Sequence, residues 1–563
     1  IADEELQQLS PERDATVNPG RALREFTAQA RVLHTASRID KPADLPVGIN
    51  IGMAVARCAA QIWSAHGLSG EFVEPELVPM VLERNQDNSA RDDIFYDPFL
   101  DGEKTLVPLK IIVWGQAESH LPHSLAMACT DPGLSELVRA VKLPIRDRLR
   151  CFEGRLMQLL NSATRTYSWG SKTLIPHLQG KAASNYPIAE LWYGAHPAGP
   201  ATIEDEPLNA VIAADPQAAL GENVAAEFDG KLPFLLKILS ADEPLSLQAH
   251  PSKEQARQGF ARENSQKVAM DAPQRSYKDD NHKPELIVAL TDFYAMAGFR
   301  PLVHTRELFN ALDCEELNRF TSMHIAEGRL TKEEEADNLR ALFTTWITIP
   351  AATRRELISA LMESSKQLLT TLNSTSWMRP VLETIIELNE LYPGDVGVLG
   401  AILLNHVQLS PGEAIYLNAG QLHAYVRGLG VEIMANSDNV LRGGLTPKHV
   451  DVPELVKVLS FNTISDPRVE QISLSDSAQV LNYPVPVEEY TLTRCDLKAG
   501  DEVVSESEGP GIILCTSGTL TLQAQDGSSL ELLPSDAAWL PASDGDVTLS
   551  TQGKAQAFIA RVQ

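Results

Sequence analysis

At 563 residues the chain is long enough for roughly three or four units, taking about 150 residues per domain as the usual scale, and each can bury a core of its own. Hydrophobic residues make up 44% and charged residues 22%, which excludes a disordered or fibrous protein. A net charge of -27 repels phosphate backbones and anionic lipid surfaces, so neither nucleic acid nor membrane is an expected partner and any phosphate site must be a local basic island.

The opening Ile1-Ala2-Asp3-Glu4-Glu5-Leu6 has neither the basic start nor the apolar stretch of a signal peptide, and no apolar run is long enough to span a bilayer. Cys58, Cys129, Cys151, Cys314, Cys495 and Cys515 are scattered without a Cys-x-x-Cys pair, so reduced thiols and a cytoplasmic protein are expected. Residues 52–66 read as a helix and residues 109–114 as a buried strand, so 1–156 is expected to be an α/β extension. That extension resembles the closing part of a sugar-isomerase (SIS-type) phosphosugar domain, without a catalytic motif. His120 and His123, three apart around Pro122, read as exposed loop histidines. Met157, opening Met157-Gln158-Leu159-Leu160-Asn161, reads as the original start of a second unit.

Residues 157–300 are strand-like and punctuated by proline and glycine. From 301 to 393 the text turns helical, with apolar positions three and four apart, as in the stretches 332–342 and 354–361. The acidic run from Glu333 to Asp337 reads as a solvated helix face. After Gly394 short alternating segments return and run to Gln563, broken by turns such as Gln525-Asp526-Gly527-Ser528. The pattern predicts a mainly β protein of double-sheet jelly-roll type with an inserted helical domain.

An internal repeat sharpens that expectation. Residues 411–420 overlay 534–543 without a gap, and His423 in the first copy corresponds to Asp546 in the second. No histidine follows His449, so only the first copy can offer an imidazole to a metal; the second is expected to support it. The expected units are therefore 157–300 and 394–470 as the working barrel, 301–393 as the helical insertion, and 471–563 as a C-terminal barrel without metal ligands.

Four phrases carry chemistry. In Leu245-Ser246-Leu247-Gln248-Ala249-His250-Pro251 the strand period of two puts Ser246, Gln248 and His250 on one face. In Asn281-His282-Lys283-Pro284-Glu285 it pairs Lys283 with Glu285. In Gly420-Gln421-Leu422-His423-Ala424-Tyr425 it pairs His423 with Tyr425. The fourth phrase, 430–448, opens with Glu432 and Asp438 and closes with Arg442, Gly443-Gly444 and Lys448.

Two imidazoles, a carboxylate and an amide oxygen form a mixed set that suits zinc with a position left open. A sugar-binding barrel or an iron-dependent oxygenase would show similar ligands. The cations Lys237, Lys283, Arg442 and Lys448 favour a phosphorylated sugar over a neutral aromatic. Gly443-Gly444 fits either a tight turn or a close approach of substrate to the backbone.

The phrases Gln-Ala-His-Pro, Asn-His-Lys-Pro-Glu, His-Ala-Tyr and Ser-Asp-Asn-Val-Leu-Arg-Gly-Gly-Leu-Thr-Pro-Lys, with the openings 165–170 and 189–197, resemble those of the type I mannose-6-phosphate isomerases of the cupin superfamily. The resemblance covers the chain from about Met157 onward. It implies zinc, one ion per chain, held by Gln248, His250, Glu285 and His423. It places Arg442 at the active site with Lys283, Glu432, Tyr425, Asp438 and Lys448 around it, and Ser246 and Lys237 near the substrate phosphate. It implies interconversion of mannose 6-phosphate and fructose 6-phosphate through an enediol, feeding mannose metabolism and GDP-mannose synthesis, in a monomer or weak oligomer. Asn418 departs from the proline often found before Ala-Gly in cupins, and His196 reads as either a site residue or a loop cap.

Overall fold

The computed structural model describes residues 157–563 apart from 325–329, 475–478 and 508. The helix read at 52–66, the strand at 109–114, His120, His123 and the whole α/β extension lie outside the described residues.

The first strands are β1 (Gln158–Asn161), β2 (Ala163–Arg165), β3 (Glu190–Gly194), β4 (Thr202–Ile203), β5 (Glu206–Pro207), β6 (Phe234–Ala241), β7 (Leu247–Ala249), β8 (Glu285–Ala289) and β9 (Phe293–Phe299). After a run of helices come β10 (Leu404–Leu409), β11 (Ala414–Leu417), β12 (His423–Ala435) and β13 (Leu441–Gly444). β12 organises the barrel by changing partners along its length. Its start pairs antiparallel with β7 and β9, and its second half with β6 and β8. The switch falls at a register shift between Tyr425 and Arg427 and at Gly428, whose φ is 128°. Such an irregularity lets one strand turn a corner and serve two layers.

Every residue of β6 is buried. Its sequence Phe-Leu-Leu-Lys-Ile-Leu-Ser-Ala is the near-continuous apolar text of a strand covered on both faces, and Lys237 interrupts it. A lone ammonium at that depth requires carboxylate partners.

The helices Leu302–Leu312, Glu315–His324, Lys332–Thr348, Ala351–Thr371 and Met378–Leu391 occupy the span read as helical. Lys332–Thr348 begins with a capping box, in which the Thr331 hydroxyl accepts from the Glu334 amide and the Glu334 carboxylate accepts from the Thr331 amide. Glu335 in that acidic run is not merely solvated: it accepts from the Leu302 amide at 2.7 Å and the Thr463 hydroxyl at 2.8 Å. The apolar face of this bundle, including Phe343, Trp346 and Leu361, packs in one core with Leu247, Ala249 and Leu441 of β7 and β13. The helices thus back the strands that carry Gln248 and Arg442.

Gly444 on β13 shows how close that packing is. Its φ is 133°, and a Cβ there would stand 2.5 Å from the backbone of Gly397 at the start of the helix Gly397–Ala401. This glycine is required by a helix-on-strand contact. Gly444→Ala is expected to destabilise the fold by about 2 kcal/mol through overpacking, read as a lowered midpoint in chemical denaturation with an unchanged slope.

In the C-terminal part, the strands Thr491–Lys498, Lys554–Arg561, Gly511–Ser517 and Ala537–Leu540 lie side by side, and β1, β4 and β5 extend the same sheet. A second, four-stranded sheet holds Glu502–Ser505, Val547–Ser550, Leu520–Ala524 and Ser529–Leu532. The expected mainly β architecture with inserted helices is therefore the one observed. The repeat is also structural: Ala414 and Ala537, equivalent in the overlay, both open strands. Gly412 and Ser535, also equivalent, both take positive φ, at 92° and 77°. Asp546, at the position of His423, accepts from the Ser507 amide at 2.9 Å, so its carboxylate is used for loop closure.

Candidate metal centre and active site

β7, β8 and β12 bring His250, Glu285 and His423 to one point. Glu285 Oε2 lies 3.4 Å from His250 Nε2 and 3.2 Å from His423 Nε2, and the two rings are 5.1 Å apart between centroids. The remaining ring nitrogens face carbonyl oxygens: His250 Nδ1 is 2.7 Å from the Asn439 oxygen and His423 Nδ1 2.9 Å from the Gln421 oxygen. A carbonyl can only accept, so each Nδ1 carries the proton and each Nε2 presents a lone pair. All three converging atoms are buried and none has a hydrogen-bond partner among the described residues. Burying unpaired acceptors against one another is unfavourable unless a cation joins them, and two imidazole nitrogens with a carboxylate oxygen fit zinc. This is the one such cluster of His, Cys, Asp and Glu among the described residues.

Burial pushes His250 down to about 4, which keeps it neutral and able to ligate at physiological pH. For Glu285, burial works to raise the pKa, but Lys283 and the two imidazoles outweigh it and hold the carboxylate well below its ordinary value. Lys283 Nζ stands 2.8 Å from Glu285 Oε1, so the lysine takes one oxygen and the imidazole pair faces the other. Gln248 is the register partner of both His423 and Arg442, beside the trio and half-buried.

A second buried line runs next to it. Trp192 Nε1 donates to Glu190 Oε2 at 3.0 Å, Lys237 Nζ reaches Glu190 Oε1 at 3.4 Å and Glu432 Oε2 at 2.9 Å, and the Tyr425 hydroxyl donates to Glu432 Oε1 at 2.8 Å. Strand register builds this line, because Lys237 on β6 lies directly between Trp192 on β3 and Glu432 on β12. Burial opposes the charge on Lys237, yet Glu190 and Glu432 more than offset it and raise its pKa. Burial raises Glu432 above the ordinary carboxylate value, with Lys237 pulling the other way. Burial and Glu432 together lift the Tyr425 hydroxyl far above its usual range.

The structure thus gives Lys237 two carboxylate partners in the interior, whereas the sequence reading set it beside a phosphate. Lys283 is likewise paired. Arg442 and Lys448 have no carboxylate partner among the described residues; burial lowers the pKa of each, and Arg442 adds to the effect on Lys448. Arg442 is half-buried and Lys448 exposed. Ser246 is half-buried just before β7. Asp438 is exposed and sits 3.5 Å from His196 Nε2. His196 Nδ1 also accepts from the Ala198 amide at 3.2 Å, so His196 both caps its loop and contacts Asp438. Asn418 accepts from the Ala419 amide at 2.7 Å, shaping the turn with its side chain where proline would do so with its ring.

Sequence reasoning gave no role to Glu190 or Trp192, although both stand in an opening phrase it singled out. It also passed over Asn439, which is fully buried and whose side chain bonds the backbone at Lys278, Asp279 and Asn281 while its carbonyl faces His250. The signal for Glu190 is a charged residue in an otherwise apolar strand; Trp192 and Asn439 carry none, because their roles arise from contacts made in the fold.

Comparison with known proteins agrees with this geometry. The family description for the type I phosphomannose isomerase catalytic domain matches residues 157–302, that for the helical insertion domain 316–404, and that for the C-terminal domain 480–526. The Escherichia coli K12 mannose-6-phosphate isomerase is 37% identical over 404 residues, covering 71% of this chain and 98% of that one. The human mannose-6-phosphate isomerase is 34% identical over 391 residues, covering 64% of this chain and 87% of that one. The Salmonella typhimurium enzyme, solved with fructose 6-phosphate and zinc, superposes with a TM-score of 0.63 at 35% identity over 72% of this chain and 99% of that one. A zinc-bound holo structure gives the same TM-score of 0.63. No described helix is long and apolar enough to cross a membrane. The chain belongs to the type I phosphomannose isomerase family and is an isomerase, with His250, Glu285 and His423 placed as a candidate site for the metal that its solved relatives hold as zinc.

Proposed function

We propose that this chain interconverts mannose 6-phosphate and fructose 6-phosphate through an enediol, with zinc held by His250, Glu285, His423 and Gln248. The observation that carries this reading is the trio of buried ligand atoms, without partners among the described residues, together with a buried Glu432 and an Arg442 that has no carboxylate partner among those residues. When bound, zinc supplies Lewis-acid polarisation and orientation of substrate oxygens.

The chain's own groups divide the remaining work. Arg442, with Lys448 beyond it, is free of carboxylates among the described residues and so offers positive charge to an anion: the substrate phosphate or the oxyanion that develops as a proton leaves carbon. Lys283 Nζ, fixed by Glu285 Oε1 at 2.8 Å, keeps further donors for a substrate oxygen. Glu432 serves as the base that moves the proton between neighbouring carbons, because its raised pKa makes it a stronger acceptor than a solvated glutamate. Each of its oxygens keeps a lone pair after receiving Tyr425 and Lys237. The catalytic part comprises 157–300 and 394–470, with 301–393 as the helical insertion and 471–563 as a second barrel. In this reading the protein is cytoplasmic and its product feeds GDP-mannose synthesis.

Purified chain should convert mannose 6-phosphate to fructose 6-phosphate, lose that activity with a chelator and regain it with zinc. Folded, zinc-loaded protein that does not convert the sugar sinks the proposal. A base must be unprotonated to act, so the raised pKa of Glu432 places the acid limb of kcat/KM above the ordinary value of 4.5. A limb at or below that value removes Glu432 from the role.

A further inference from the structure

The second barrel contains no histidine, yet it reaches into the stretch that carries Lys283 and Glu285. Glu489 and Tyr490 stand in the loop before the strand Thr491–Lys498, and both are buried, at 3% and 0% exposure. Glu489 Oε1 lies 2.6 Å from His282 Nε2, a short charge-assisted contact. The Tyr490 hydroxyl donates to the Pro284 carbonyl at 3.2 Å. Lys253, exposed by nearly half, touches the same Glu489 oxygen only at 3.5 Å.

Residues 282–285 run His-Lys-Pro-Glu. The residue before proline is held extended, and successive side chains of an extended segment point to opposite sides. Glu285 belongs to the metal trio and Lys283 turns to the same side, bonded to its carboxylate, while the His282 ring points to the other; the Pro284 carbonyl lies between them and accepts from the Ala435 amide of β12 at 3.3 Å as well as from Tyr490. The second barrel holds both. Glu489 has no other role in the chemistry, and a buried carboxylate is costly unless it is paired.

We infer that Glu489 and Tyr490 are positioning residues for the isomerase reaction, through which the second barrel sets the placement of Lys283 and Glu285. The inference rests on Glu285 as a zinc ligand and Lys283 as a substrate-facing donor. Groups that orient ligands from behind typically change metal affinity or activity by about 10- to 100-fold when removed.

The test compares wild type, Glu489→Ala, Glu489→Gln, Tyr490→Phe and Glu285→Ala. Zinc affinity is measured by competition with a chromophoric chelator, kcat and KM are measured on mannose 6-phosphate, and the melting temperature is recorded for each. Zinc binding by wild type and its loss in Glu285→Ala confirm the underlying ligand assignment independently of substrate. Given that, Glu489→Ala is expected to weaken zinc binding and lower kcat about tenfold. Glu489→Gln, which keeps an acceptor for His282, should recover most of both. Wild-type zinc affinity and kcat in Glu489→Ala overturn the inference, as does a loss that follows the melting temperature alone and is not rescued by Gln. Should Glu489→Ala not fold, Tyr490→Phe decides: it removes only the bond to the Pro284 carbonyl, and an unchanged zinc affinity and kcat in that variant overturn the inference equally.

Discussion

Glu285→Ala is expected to abolish tight zinc binding and with it the isomerase activity, a loss of well over 100-fold given that even supporting residues behind metal ligands account for about 10- to 100-fold. The reason lies in how much converges on one carboxylate. Oε2 faces both imidazole Nε2 atoms at 3.4 and 3.2 Å, and Oε1 receives Lys283 at 2.8 Å. Removing it takes away the only negative charge among the ligands and leaves the Lys283 ammonium, 12% exposed in its side chain, without its carboxylate. Chelator competition reads the first effect and sugar-phosphate conversion the second. Zinc bound at wild-type strength in this variant would show that the ion sits elsewhere.

Arg442→Ala is expected to leave zinc affinity and stability nearly unchanged while lowering kcat/KM by on the order of 10²–10³. The stability expectation follows from the absence of a carboxylate partner among the described residues, so truncation strands no buried charge. The activity expectation follows from the same absence: a half-buried guanidinium with no protein anion beside it is available to one from the substrate. Arg442→Lys should recover only part, because an ammonium cannot reproduce the two-pronged geometry of a guanidinium. If both variants turn over within about tenfold of wild type, the anion is held by Lys448 or another group and Arg442 leaves the proposed mechanism.

Much of the site was legible because three of its four phrases are local. The period of two in a strand already sets Gln248 beside His250, Lys283 beside Glu285 and His423 beside Tyr425. The helical insertion was legible from its change of period, and the repeat from ten residues that align without a gap. The environment of Lys237 was not legible. Its sequence neighbours are all apolar, and the carboxylates that hold it come from β3 and β12 by lateral register, which no local pattern encodes. The same holds for Glu489, whose partner His282 lies in a different barrel. The acidic run at Glu333 to Asp337 read as a featureless face because Leu302 and Thr463, the donors that single out Glu335, are distant in sequence.

The first described strand, β1, is laid against Ala537–Leu540, with Leu160 opposite Ala537, and the Met157 amide donates to Asp544 at 2.6 Å across 387 positions. During vectorial synthesis on a ribosome, β1 finds β4 early, but its other edge waits for Ala537–Leu540 until nearly all of the chain has been made. Contacts of such long sequence separation form slowly and leave strand edges exposed meanwhile. The two barrels therefore close as a clasp fastened at its last link, and cutting the chain between them would leave β1 paired with β4 on one side and its other edge open.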